Sequence, residues 1–165
     1  MTFSLQELSD RQEIQELLAA YSYAIDFRDW DALDDVFTED ATIDYTEAVN
    51  VRGTLPEIKA FLARSLTGFL SIQHAVSTSR IVFEGDTAKG RTICFNPVVI
   101  DQGNGQTHVL FAGLWYRDTF VRTARGWRIR TRYEEKSFLH NVPPGFVPGA
   151  SPTVPGAAAA AGSKA

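Results

Sequence analysis

Residues 9–31 read SDRQEIQELLAAYSYAIDFRDWD, and within them Ile14, Leu17, Leu18, Tyr21 and Ile25 recur at the spacing of one helical face. Ser9 with Gln12 three residues on has the form of a capping box, so the pattern predicts a helix over residues 10–27. Asp26 falls in its last turn, where the partial negative charge of the carbonyl end disfavours an acid by about a few tenths of a kcal/mol. Folding gains nothing from a carboxylate at that place, beside Ile25 and the apolar stripe. A partly buried acid at a helix end needs a partner, and the most useful one is an imidazole.

The rest of the chain reads as the cup that brings it. Asp29 or Asp31 caps a short second helix through Leu33, Val36 and Phe37, closed by Thr38-Glu39-Asp40. ATIDY, residues 41–45, alternates as a short strand, with a loop after it through Asn50 and Gly53. Thr54, Pro56 and Glu57 open a third helix that buries Ile58, Phe61, Leu62 and Leu66 and ends at Gly68. From Phe69 the period becomes extended. Turns at Glu84-Gly85-Asp86, residues 102–105 and residues 123–126 separate strands near 72–83, 87–100, 108–122 and 127–138, all antiparallel by connection length. Three helices before one long sheet predict an α+β fold: a cone-shaped barrel of a curved antiparallel sheet, with the three N-terminal helices closing a cavity. Residues 1–140 are expected to form this one domain. Residues 141–165 carry five of the prolines and an alanine run, and are expected to be a partly or wholly disordered tail whose first part, through Phe146, is able to fold over the cavity mouth.

Composition bounds the partners. A net charge of −4 with no long basic run argues against nucleic acid. The N-terminus lacks the form of a secretory signal, no stretch reaches the roughly 20 apolar residues of a membrane span, and Cys94 is a single cysteine, so a cytoplasmic protein away from the membrane is expected. His74, His108, His140 and Cys94 lack metal-ligand spacing and no phosphate loop or dinucleotide fingerprint occurs, so no cofactor and no metal are expected. Cys94 reads as a core thiol rather than a nucleophile. The 12% aromatic content suits either a pocket for a ring-shaped apolar ligand or a large aromatic core. The apolar faces of a long sheet predict a homo-oligomer, a dimer or trimer.

Several polar groups stand against apolar neighbours. His74 shares a strand face with Ile72 and Val76, as a satisfied core residue or as a base aimed into the cup. Tyr21 and Tyr45 read as core aromatics or as hydroxyl donors. Arg132, in the run Arg128, Arg130, Arg132, reads as part of a solvated strand face or as a charge stabiliser.

Together these residues resemble the nuclear transport factor 2-like superfamily, in particular its SnoaL-like branch with scytalone dehydratase, hexachlorocyclohexane dehydrochlorinase and bile acid 7α-dehydratase. The strings AIDFRDWDAL, TIDY, IQH and GWRIRTR carry the likeness, in that order, over about residues 5–138. The resemblance implies a helical Asp, a strand His and a last-strand Arg at Asp26, His74 and Arg132, with Tyr45 at the catalytic tyrosine of scytalone dehydratase and Tyr21 at the helical Tyr of the bile acid enzyme. The second histidine of scytalone dehydratase and its Ser and Asn fall near Val98 and near residues 112–114 here, so its substrate contacts are not reproduced. The general-base Asp of ketosteroid isomerase falls at Tyr45, which argues against that enzyme's base. The implied activity is a cofactor-independent lyase, a dehydratase acting on a hydrophobic cyclic, polyketide- or steroid-like small molecule. Its alternatives are an isomerase or cyclase using the same Asp-His dyad and a non-catalytic binder of apolar ligands.

Overall fold

The computed structural model describes residues 2–103 and 105–150. Helix α1 spans Leu5–Asp26, a 3₁₀ turn Asp31–Asp35, strand β1 Phe37–Asp44, helix α2 Thr46–Val49, strand β2 Arg52–Thr54 and helix α3 Leu55–Ser65. Strands β3 Phe69–Ile72, β4 Ala75–Glu84, β5 Thr87–Asp101, β6 Thr107–Thr123 and β7 Gly126–His140 follow. The strands form one seven-stranded sheet in the order β2-β1-β7-β6-β5-β3, with β4 also on β5. It curls into a half-barrel over which α1 and α3 lie, an α+β cone.

The sheet is mixed. β1 runs parallel to β7, with Ile43 opposite Arg132, while all the other pairs are antiparallel. This pairing overturns the second helix expected through Phe37. Leu33 and Val36 do turn inward, but Phe37 already lies opposite Ile129, and Thr38, Glu39 and Asp40 belong to the strand. Backbone bonding to β7 outweighs a weak local helical preference. The loop expected through Asn50 and Gly53 holds α2 and β2, and Tyr45 caps α2 rather than ending a strand.

Helix α1 begins a turn earlier than its apolar spacing indicates. Ser4 Oγ accepts from the Glu7 amide at 3.1 Å, so Ser4 and not Ser9 is the cap. The extra turn places Asp10 mid-helix and buried, where Trp127 Nε1 donates to it at 3.1 Å and Arg122 at 2.7 Å, tying α1 to the β6–β7 hairpin. α3 starts as expected, with Thr54 and Glu57 completing a capping box.

Bulges give the long strands their curvature and decide which side chains face inward. On β7, Trp127 and Ile129 are buried; the register then slips opposite Thr119 and Phe120, leaving Arg130 as the extra residue, and Arg132 and Glu134 face in. Unbroken alternation would have turned Arg132 to solvent together with Arg130. Most of the core lies between α1, β1, α3 and the concave face of the sheet, and a second cluster of Ile72, Val98, Ile100 and Leu110 lies toward the end of the cone where Phe146 packs. Among the described residues no helix is long and apolar enough to cross a membrane. Of the tail expected to be partly or wholly disordered over residues 141–165, residues 151–165 lie outside the described residues. Residues 141–150 fold back onto the cone, Asn141 accepting from His108 Nε2 through its carbonyl at 2.6 Å and donating to the Val109 carbonyl at 2.7 Å.

Candidate active site

The site begins where the edge strand breaks. β3 and β4 both pair with β5 along the same edge, and between them Gln73 still donates its amide to the Pro97 carbonyl of β5 at 3.1 Å while His74 leaves the ladder. The His74 amide, freed from the sheet, donates to Asp26 Oδ2 at 2.9 Å, and His74 Nδ1 lies 2.6 Å from Asp26 Oδ1. A carboxylate only accepts, so Nδ1 carries the proton and Nε2 is left with its lone pair. Two donors from one residue thus satisfy the acid at the carbonyl end of α1. His74 stands at a break rather than inside a strand, yet keeps the inward direction of Ile72 and Val76.

Asn96 on β5 completes this end, its Nδ2 donating to His74 Nε2 at 3.1 Å, while its Oδ1 is buried without a partner among the described residues. β5 therefore offers an amide to the site, two residues from Val98, near which the resemblance had placed the second histidine of scytalone dehydratase. A polar Asn inside the apolar run CFNPVV was the available signal.

His74 and Asn96 line a cavity of about 130 Å³. Its wall is otherwise apolar, formed by residues such as Ile25, Leu62, Ile72, Val98 and Leu114, with Tyr21, Tyr45, Glu134 and Ser65, whose hydroxyl donates to the Phe61 carbonyl, as further polar groups. Phe146, Pro148, Gly149 and Ala150 close one side, and Phe146 packs against Phe69 with ring centroids 6.5 Å apart. Asp26 sits behind His74 and does not line the cavity.

The Tyr21 and Tyr45 hydroxyls are 2.8 Å apart. One donates to the other, so of two protons a single one is free for a ligand. Burial pushes Tyr21 up to about 12 against the pull of Arg132, and burial with the neighbouring Tyr21 raises Tyr45 well above its ordinary value. Both remain neutral donors at physiological pH. Tyr21 also meets the His74 ring edge-on at 6.2 Å.

Arg132, expected at the cavity wall, lies behind it. The residue is 1% exposed, and its guanidinium forks onto Asp118 at 2.8 and 2.7 Å and is sandwiched between the Tyr21 and Tyr116 rings at 4.0 Å from each centroid. Its charge reaches the cavity through Tyr21 rather than by contact. Cys94 is fully buried, and burial raises its thiol to about 12, in keeping with a core thiol. Among the described residues no three His, Cys, Asp or Glu side chains gather as metal ligands.

The SnoaL-like domain pattern matches residues 6–133. The chain belongs to the SnoaL-like domain family. Uncharacterized protein Rv2910c of Mycobacterium tuberculosis H37Rv is 49% identical to it over 135 residues, 82% of this chain and 90% of that protein. A Novosphingobium aromaticivorans protein provisionally named a scytalone dehydratase has a similar fold, with TM-score 0.73 and 22% identity over 88% of this chain and 93% of that one. Hexachlorocyclohexane dehydrochlorinase LinA-type3 from Novosphingobium barchaimii LL02 is similar at TM-score 0.70 and 18% identity, over 87% of this chain and 96% of that one. These likenesses place the SnoaL-like chain in the nuclear transport factor 2-like fold.

One acid of this SnoaL-like cavity was not singled out in the sequence. Glu134 is 8% exposed, lines the cavity and has no hydrogen-bond or ion-pair partner among the described residues. Burial holds its carboxyl up at about 7, with Arg132 pulling the other way. The signal was its place two residues after Arg132, on the same face of the strand.

Proposed function

We propose that this SnoaL-like domain is a cofactor-independent lyase of the dehydratase type, removing water by β-elimination from a hydrophobic cyclic, polyketide- or steroid-like molecule. The observation that carries this reading is the His74 ring, held through Nδ1 by Asp26 at 2.6 Å, on the wall of an apolar cavity. With its proton fixed on Nδ1, the imidazole presents Nε2 as the base, and Asp26 stabilises the imidazolium that forms. Asn96 occupies that lone pair at rest and must yield to the substrate carbon that gives up its proton. Negative charge building on a carbonyl oxygen is met by the free proton of the Tyr21–Tyr45 pair, which Arg132 polarises from behind Tyr21.

A cavity of about 130 Å³ suits one ring of the substrate, so larger molecules require the segment around Phe146 to move. Two similar folds carry the names of a dehydratase and a dehydrochlorinase, which favours elimination over binding alone. β-Hydroxycyclohexanone tests the reading. The wild type should convert it to the conjugated enone, followed by ultraviolet absorbance, and His74→Gln should lower the rate by roughly 10²- to 10⁴-fold. An unchanged rate in His74→Gln would remove the dyad from the mechanism, and a product of unchanged mass would favour an isomerase or cyclase.

A homo-oligomer is part of the same proposal. On the outer face of the sheet Phe95 stacks on Phe111 at 5.7 Å, and Phe138 covers Gly113 while remaining half exposed. Sedimentation equilibrium checks it, and a monomer at all concentrations would refute it.

A further inference from the structure

Glu134 is the lining acid that the dyad chemistry leaves unused. A carboxyl this deeply buried ordinarily has a partner, because an unpaired buried acid loses its hydration without compensation. Here the neighbouring titratable groups are Tyr21 on α1, Tyr45 before α2, Cys94 on β5, Tyr116 on β6 and Arg132 on its own strand. Four of the five are neutral hydroxyls or a thiol. The cation among them, Arg132, is already forked onto Asp118. Among the described residues no Lys or Arg lines the cavity. The carboxyl is therefore left facing an apolar space that a neutral ligand is able to enter, and that a carboxylate or phosphate ester would enter against an acid with no lining cation to receive it.

We propose that Glu134 is the general acid of this cavity, giving its proton to the leaving oxygen of an uncharged β-hydroxy carbonyl compound while His74 Nε2 takes the proton beside the carbonyl. The assignment rests on the lyase reading and narrows its substrate class. In the step, the C–H electron pair becomes the new C=C bond and the C–O bond breaks with its pair going to oxygen. That oxygen leaves as water with the Glu134 proton. His74 becomes an imidazolium and Glu134 a carboxylate, so the charge of the cavity as a whole is unchanged and the two new charges attract one another in a water-poor space. Transfer of the proton from His74 back to Glu134, directly or through water, resets both.

Two experiments on the full chain test the assignment. In infrared spectra of ¹³C-glutamate-labelled protein at about pH 6, below the elevated value of Glu134 and above ordinary carboxyls, a neutral carboxylic acid band should be present and be lost in Glu134→Gln. Absence of that band in the wild type overturns the proposal, whether or not the variant folds. The second compares leaving groups, β-hydroxycyclohexanone against β-acetoxycyclohexanone, because acetate departs without needing a proton. Glu134→Gln should lower elimination of water by about 10²-fold or more and elimination of acetate by at least tenfold less. Equal losses on the two compounds overturn the general-acid role and leave the His74 reading standing. A wild type inert toward both compounds overturns the lyase reading itself, and this assignment with it.

Discussion

Replacing Glu134 by Gln should stabilise the protein, and by an amount that depends on pH. Burial holds the folded-state carboxyl at about 7 against an ordinary 4.5, and the side chain is 8% exposed, so solvent screens it little. Between those two values the unfolded chain has released a proton that the folded chain keeps. Raising the pH across the window therefore lowers stability, and the loss is complete once the pH exceeds the folded value. The gap corresponds to about 3 kcal/mol in full, of which about 2.5 kcal/mol develops between about pH 5 and about pH 8. Gln keeps the volume and removes the ionisation, so the variant escapes that loss. Urea unfolding of both proteins at the two pH values gives the quantity directly: the stability of Glu134→Gln relative to wild type should rise by about 2.5 kcal/mol from the lower to the higher pH. Other titrating groups are common to both proteins and cancel in the difference. A relative stability that is flat with pH, or that falls, would refute the placement of an unpartnered carboxyl in this cavity.

Asp10 should behave in the opposite sense. Hydrogen bonding from Arg122, opposed by burial and helped by Trp127 and Gln6, lowers its carboxyl to about 2, so its stabilisation is present above the ordinary carboxylate range and disappears as pH falls through about 2. Asp10→Asn should cost about 2 kcal/mol at neutral pH in urea unfolding, with the gap closing in acid. Asp118→Asn should cost about 3–5 kcal/mol, because it leaves the buried Arg132 guanidinium without its counter-charge, and thermal unfolding checks it. Deleting the chain after Asn141 removes Phe146 and residues 148–150 from the cavity mouth. The deletion should raise the binding of an apolar fluorescent dye with little change in the amide hydrogen exchange of β5 and β6, whereas unchanged dye binding would mean that the segment does not close the cavity.

The amino-acid sequence by itself determined the long elements and which face of most of them is buried. α1, α3 and the long meander follow from periodicity, capping residues and turn glycines, all of which act within a few residues along the chain. The two members of the hydrogen-bonded Asp26–His74 pair were legible for a related reason. Asp26 and His74 are polar at places where helix and strand geometry alone would favour something else. What only the tertiary structure decided is whatever depends on register between distant strands. Parallel pairing with β7 turned Phe37 and Thr38 from helix to strand. The bulge at Arg130 inverted which face the following side chains of the last strand present, carrying Arg132 and Glu134 inside the cone while Arg130 stayed in solvent. A single inserted residue changes no local pattern in the sequence, yet reverses the side chains after it up to the next slip, at Ser137. That reversal put an acid without a hydrogen-bond partner on the wall of the cavity that His74 lines, and Asn96 meets His74 only because the broken edge of the sheet brought His74 within reach.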